Sequence, residues 1–99
     1  MKISDVSVVM HQRPLPAGMP LPPMEMGVLR IQTDEGIEGN TFISPPGPNV
    51  ADQIAGQVKP LLVGRDPLDI GAIWHLLWAK RRSMHSTVQG YVDVALWDI

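Results

Sequence analysis

Apolar and polar residues alternate along three short stretches in the first half of the chain, and apolar residues recur every three or four positions in the second half. Alternation marks a strand with one covered face, and the longer period marks a helix that buries one stripe. Over residues 2–12, Val6, Val8 and Met10 share a face, with Asp5, Ser7 and His11 opposite and Val9 breaking the pattern. Residues 25–33 bring Leu29, Ile31 and Thr33 together, and residues 37–43 set Ile37, Thr41 and Ile43 against Glu38, Asn40 and Phe42. Asp34-Glu35-Gly36 lies between these last two. Aspartate suits the start of a type I turn, and glycine suits the left-handed position that joins such a turn to a bulge. The prediction is a three-stranded antiparallel meander closed by a tight hairpin.

Downstream, Val50, Ile54 and Val58 are spaced by four behind Asn49, a residue type that caps helices. Lys59-Pro60 is expected to interrupt that helix, and Leu61-Leu62-Val63 to end at a glycine stop, Gly64. Asp66-Pro67-Leu68-Asp69 reads as the next helix start, with Asp66 as cap and Pro67 in the first helical position. Ile70, Ile73, Trp74, Leu77 and Trp78 then form one apolar stripe, read as core, in a helix ending near Arg82. The last helix, residues 87–99, has Val88, Val92, Ala95, Leu96 and Ile99 on one face and Tyr91, Val94 and Trp97 on much of another. Only Gln89, Asp93 and Asp98 are clearly polar there. A helix apolar nearly all round needs cover on most sides. It also lacks a glycine cap, a proline or a basic last turn. It is expected to continue past Ile99 and to pack against a part of the protein outside this chain, with Asp98 turned toward that continuation. The fold class is α+β: a meander followed by a helical bundle, in one domain over residues 1–99.

A chain of 99 residues holds one domain at most and buries only a modest core. There is no cysteine, so neither a disulfide nor a thiolate metal site supplements that core. The net charge of −2 comes from 8 basic and 10 acidic residues spread along the chain, which leaves no basic stripe for a nucleic-acid backbone. Lys80-Arg81-Arg82 is read as the cationic last turn of a helix. No apolar run approaches the ~20 residues of a membrane helix, and Met1-Lys2-Ile3-Ser4-Asp5 does not have the form of a secretory signal. A cytoplasmic protein is expected. Ten prolines are many for this length, and they cluster: Pro14, Pro16, Pro20, Pro22 and Pro23 in one stretch, Pro45, Pro46 and Pro48 in another. Both clusters fall between predicted elements, which marks two stiff loops in an ordered domain.

Three phrases carry a family resemblance. Val28-Leu29-Arg30-Ile31-Gln32-Thr33-Asp34-Glu35-Gly36-Ile37-Glu38-Gly39 forms the hairpin. Pro60-Leu61-Leu62-Val63-Gly64-Arg65-Asp66-Pro67, followed by Ile73-Trp74 and Leu77-Trp78, forms a helix entry. Val92-Asp93-Val94-Ala95-Leu96-Trp97-Asp98-Ile99 closes the chain. In this order they resemble the N-terminal capping domain of the enolase superfamily, in its mandelate racemase and muconate lactonizing enzyme group. The resemblance implies a parent protein with a (β/α)₈ barrel of typically ~250 residues beyond this chain. In that family a lysine or histidine base in the barrel removes the proton α to a carboxylate, and barrel carboxylates hold Mg²⁺, which stabilises the enediolate. Racemases, cycloisomerases and acid-sugar dehydratases all work this way. The partners implied are the protein's own barrel, a carboxylate substrate and further copies in a homo-oligomer. None of the catalytic or metal positions lies in residues 1–99. The capping domain's implied share is to close the barrel mouth with two loops, which match residues 13–24 and 44–49.

The candidate lid residues are therefore Arg13, Pro16, Met19, Met24, Ser44 and Pro45. Met19 is expected to be an apolar wall and Arg13 a partner for a substrate carboxylate, while the prolines restrict the loop's freedom. Asn49 is read as a helix cap. His85, in the polar run Ser83-Met84-His85-Ser86-Thr87, is a candidate for the rim of the site. His11 and His75 have no partners at metal-ligand spacing. Glu35 and Glu38 flank a hairpin turn and read as solvated, and Asp93 and Asp98 are too far apart on a helix to share a face. No phosphate loop, nucleophile elbow or carboxylate triad is present. A competing reading is a stand-alone binding or assembly module without catalysis, its last helix covered by a second copy.

Overall fold

The computed structural model describes residues 1–13, 16–18, 24–43, 50–84 and 86–99, without the side chains of Gln12, Arg13, Met24 and Glu25. Strands β1 (Ile3–Arg13), β2 (Met24–Thr33) and β3 (Glu38–Ile43) form one antiparallel sheet in the order β1-β2-β3. The predicted meander is present. The hairpin between β2 and β3 forms because Gly36 takes φ +79°, where a side chain would be strained. The Thr33 amide donates to the Ile37 carbonyl at 3.0 Å and the Gly36 amide to the Thr33 carbonyl at 3.2 Å. Asp34 ties this turn to the start of the chain: its Oδ1 accepts from the Lys2 amide at 2.9 Å.

Alternation alone does not explain the inner face of β1. Ile3 and Val6 are both buried although an odd number of positions separates them. The register slips between Ile3 and Asp5, and this bulge returns both side chains to one face. Ile37 is a correction. It was expected inside with Thr41 and Ile43, yet it is 45% exposed. It lies at the turn end of the sheet, beyond the helical cover. Gly39 holds the inward position instead, and burial alternates e-B-e-B-e-B through β3.

The helix expected to stop at Lys59-Pro60 does not stop. It runs as α1 (Val50–Gln53), a π turn (Ile54–Val58) and α2 (Lys59–Leu62), with helical backbone angles at both joints. A proline ring collides with the carbonyl four residues earlier in a regular helix. Here the Lys59 amide reaches back five residues to the Ile54 carbonyl, and the widened turn accommodates Pro60. The helix ends as predicted near Gly64, whose φ is +91°. That bend lets the Gly64 amide donate to the Ile3 carbonyl and the Ile3 amide to the Arg65 carbonyl, each at 2.8 Å.

The next helix, α3 (Ile70–Ala79), begins later than predicted. Asp66 does not cap it. Its Oδ1 accepts from the Leu68 amide at 2.9 Å, closing a local Asx turn, and Asp69 occupies the cap position without a side-chain bond. α3 also ends before the three cations, which follow it in a turn; Arg81 Nη1 donates to the Trp78 carbonyl at 3.2 Å. Within the stripe, Ile73 and Leu77 are buried, whereas Trp74 and Trp78 are 40% and 46% exposed. Only half of that stripe is core.

Helix α4 (Ser86–Asp98) lies across the sheet, with Val88, Val92, Ala95 and Leu96 buried as expected. Gln89 is buried too, against the pattern; its Nε2 donates to the Trp74 carbonyl at 3.3 Å. Asp98 bonds within the chain: its Oδ2 accepts from the Asn40 amide of β3 at 2.9 Å. The 50–62 helix and α4 lie on the sheet and α3 packs against α4, around a core that includes Leu29, Ile31, Ile43, Ile54, Val58, Leu62 and Val92.

Lys59 of α2 also pairs with Asp5 beside the bulge, Nζ to Oδ1 at 3.0 Å. The hydrogen bond from Lys59 holds the Asp5 carboxyl below its usual value, helped by the cation's charge and the Val6 amide and opposed by partial burial. A depressed folded pKa gives stability present above the unfolded value and lost as pH falls through the folded one. Because both side chains are well exposed, the pair contributes at most about 1 kcal/mol. Asp5→Asn is therefore expected to lower Tm slightly at neutral pH, with the difference shrinking as pH falls through the depressed carboxyl value, measured by thermal melts across pH.

Candidate functional site

Both proline clusters leave from one end of the sheet. Arg13, the last residue of β1, pairs with Met24, the first of β2, and Ile43, the last of β3, pairs with Gly27. The segments 14–23 and 44–49 therefore start from neighbouring strand ends. Contacts along α4 run opposite to β3. The Tyr91 carbonyl accepts from Thr41 Oγ1 at 2.6 Å, and the Ala95 carbonyl lies against Gly39. The helix is thus antiparallel to β3, and its first turn, from Ser86, points toward the same sheet end. The return from 44–49 is anchored by Val50, 2% exposed in the core.

The candidate residues distribute as follows. Arg13 and Met24 form the last described rung of the β1–β2 ladder. Pro16 is exposed, two residues before Gly18 at φ +92°. Met19, Ser44, Pro45, Asn49 and His85 lie outside the described residues, as do the side chains of Arg13 and Met24. Sequence reasoning placed Met10 on a face with Val6 and Val8 but missed its contact with Gly27. Opposite it in register is Gly27, and a Cβ built there would stand 2.5 Å from Met10 Sδ. Glycine thus lets Met10 lie flat across β2 beside the strand ends. The signal was an inward glycine in an otherwise apolar strand, which marks close approach.

The remaining titratable groups do not converge. His11 is exposed on the open face of the sheet, and His75 is exposed on α3, its ring edge-on to Trp74 with centroids 5.6 Å apart. Glu35 is 3.8 Å from the amino terminus, while Glu38 is 3.7 Å from Arg30 Nε. At the opposite end of the sheet an open depression of about 220 Å³ is lined by Ser4, Gln32, Thr33, Gly36, Ile37 and Glu38. It holds no cation and no opposed acid–base pair. Among the described residues no three His, Cys, Asp or Glu side chains group as metal ligands would, and no helix is long and apolar enough to cross a membrane.

A three-stranded meander with helices on one face, and its strand ends gathered at one edge, is the fold of an enolase-type N-terminal domain. Residues 3–99 match the family model for the mandelate racemase / muconate lactonizing enzyme N-terminal domain, and the chain belongs to that family. It is 33% identical over 84 residues to a D-galactonate dehydratase family member from Marinomonas sp. (strain MWYL1), covering 79% of this chain and 21% of that one. Among solved structures it resembles a member of the enolase superfamily from Roseovarius nubinhibens ISM, with TM-score 0.78, 29% identity, and coverage of 99% of this chain and 28% of the other. It also resembles D-glucarate dehydratase from Agrobacterium tumefaciens complexed with magnesium, with TM-score 0.72, 28% identity, and coverage of 98% and 28%. The chain thus spans about a quarter of the length of these relatives. The last of them holds magnesium, but the described residues of this chain do not provide the carboxylate set such an ion needs.

Proposed function

We propose that this chain is the substrate-capping domain of an acid-sugar dehydratase or racemase. The parent enzyme removes the proton α to a carboxylate, and its chemical groups lie in a barrel outside this chain. The observation that carries the reading is the common origin of 14–23 and 44–49 at one sheet end, beside the first turn of α4. Two loops rising from one rigid edge close over a mouth together, and the core beneath keeps their bases fixed.

In this reading Arg13 approaches the substrate carboxylate, Met19 and Met24 supply apolar wall, Pro16 and Pro45 limit loop freedom, and Ser44 and His85 stand at the rim. The outer stripe of α4, with Val94 and Trp97 at 55% and 72% exposure, rests on the barrel. Homo-oligomeric assembly belongs to the same reading. A polyhydroxy carboxylate of the D-galactonate or D-mannonate class is the first substrate to test, since several relatives carry those names.

In the full-length enzyme, replacing residues 14–23 by a glycine–serine segment of equal length is expected to lower kcat/KM by about 100-fold, through lost positioning and admitted water. Circular dichroism should stay unchanged, because the described sheet begins outside that segment. Unaltered kcat/KM would remove the lid reading.

A further inference from the structure

Trp74 and Trp78, on the outer side of the α3 stripe, stay 40% and 46% exposed among the described residues. Trp74 and Trp78 stack on the outside of the helix with ring centroids 5.3 Å apart and planes 12° off parallel, and the Arg81 guanidinium lies 4.9 Å above the Trp78 ring. Gly71, Trp74, His75 and Trp78 fall at i, i+3, i+4 and i+7, one seam along a helix. His75 and Gly71 are exposed, and a Cβ built on Gly71 would meet nothing within 4 Å. Aromatic residues and arginine on an exposed seam are the groups that dominate protein interfaces.

We infer that this seam is a two-fold contact between copies of this chain, α3 packing antiparallel on α3. The charges at the two ends of the helix point to the occupant. Asp66 and Asp69 stand at the N-terminal end, and Lys80, Arg81 and Arg82 at the C-terminal end; all five are exposed. Among the described residues, none of these five forms an ion pair with an opposite charge. An antiparallel copy sets each acidic end against a cationic end, twice, and opposes the two helix dipoles favourably. With the axis between Trp74 and His75, each Gly71 faces the other copy's Trp78, so the smallest residue of the seam receives a large ring. A two-fold contact is isologous, so such self-complementarity is its requirement. One pair of ten-residue helices buries less than the ~800 Å² per partner of a standard interface, so the contact alone is weak and reversible. The inference does not rest on the lid reading, because it concerns another face of the domain.

Sedimentation equilibrium on the purified protein tests it. Asp69→Arg and Arg82→Glu should each weaken self-association about 10-fold or more, since every substitution counts twice in a two-fold contact, and the combined Asp69→Arg, Arg82→Glu variant should recover most of the loss. Trp78→Glu should weaken it at least 100-fold. Both charged positions are exposed, so these variants keep the fold, which circular dichroism verifies. Association indifferent to all four variants overturns the inference. So does a combined variant as weak as the singles, which would place another part of the same polypeptide, or a different partner, on the seam.

Discussion

Gly39→Val is expected to destabilise the domain by about 3 kcal/mol, at the upper end of the usual cost of overpacking. For a chain this small that corresponds to a fall in Tm of roughly 12–24 °C. At Gly39 the backbone of β3 touches the backbone of α4. A Cβ there would run into the Ala95 carbonyl and stand 2.7 Å from Ile99 Cγ1. A flexible side chain can yield to a new methyl group, but a helix carbonyl moves only with its helix. Two bonds hold α4 in place on either side of the contact, from Thr41 Oγ1 to the Tyr91 carbonyl and from the Asn40 amide to Asp98 Oδ2. The substitution therefore separates the layers that make the domain. Differential scanning calorimetry measures the effect, and a shift under about 5 °C would mean that α4 slides over β3 without loss.

The second large effect concerns the middle of the sheet. Leu29→Ala should cost 2–5 kcal/mol, roughly, through lost transfer energy and the cavity left behind, whereas Phe42→Ala should change stability by no more than about 0.5 kcal/mol. Leu29 is fully buried on the helical face of β2, and Phe42 is 60% exposed on the open face of β3. The two belong to adjacent, register-paired strands and are both large and apolar, so only the face separates them. Urea titration decides the matter through the midpoint, with the slope held constant. Equal losses would indicate that something covers the open face, where Val9, Val28 and Phe42 line up across three strands.

Much of this fold was legible because its signals are local. Asp34-Glu35-Gly36 specified the hairpin, since a left-handed residue at that point requires glycine or a strained substitute. Alternation placed Leu29, Ile31, Thr33, Thr41 and Ile43 on the covered face, and the four-residue period placed Val88, Val92 and Leu96 on the inner side of α4. The three ordered phrases pointed to the family that the match over residues 3–99 establishes. The segments 14–23 and 44–49 were found as proline clusters, without any indication from pattern alone that their flanking strands end at one edge of the sheet.

The misread positions have two causes: at Pro60 and Asp66 the backbone took a local alternative that pattern does not distinguish, and the others depend on groups distant in the chain. Pro60 reads locally as a helix breaker, but the π turn before it removes the collision that would break the helix. Asp66 reads locally as a cap, but it bonds the Leu68 amide in a turn of its own. Trp74, Trp78 and Ile37 read as core, and whether an apolar side chain is covered depends on the extent of the layer above it. Gln89 reads as polar surface, and the Trp74 carbonyl gave it a partner. The sequence by itself thus determined the elements, their inward faces and the family, because period and turn chemistry act over a few residues. Only the tertiary structure decided which apolar groups stay uncovered, how α4 is locked on Gly39, and that both loops leave from one edge, because packing of the helical layer and strand register are properties of the assembled chain.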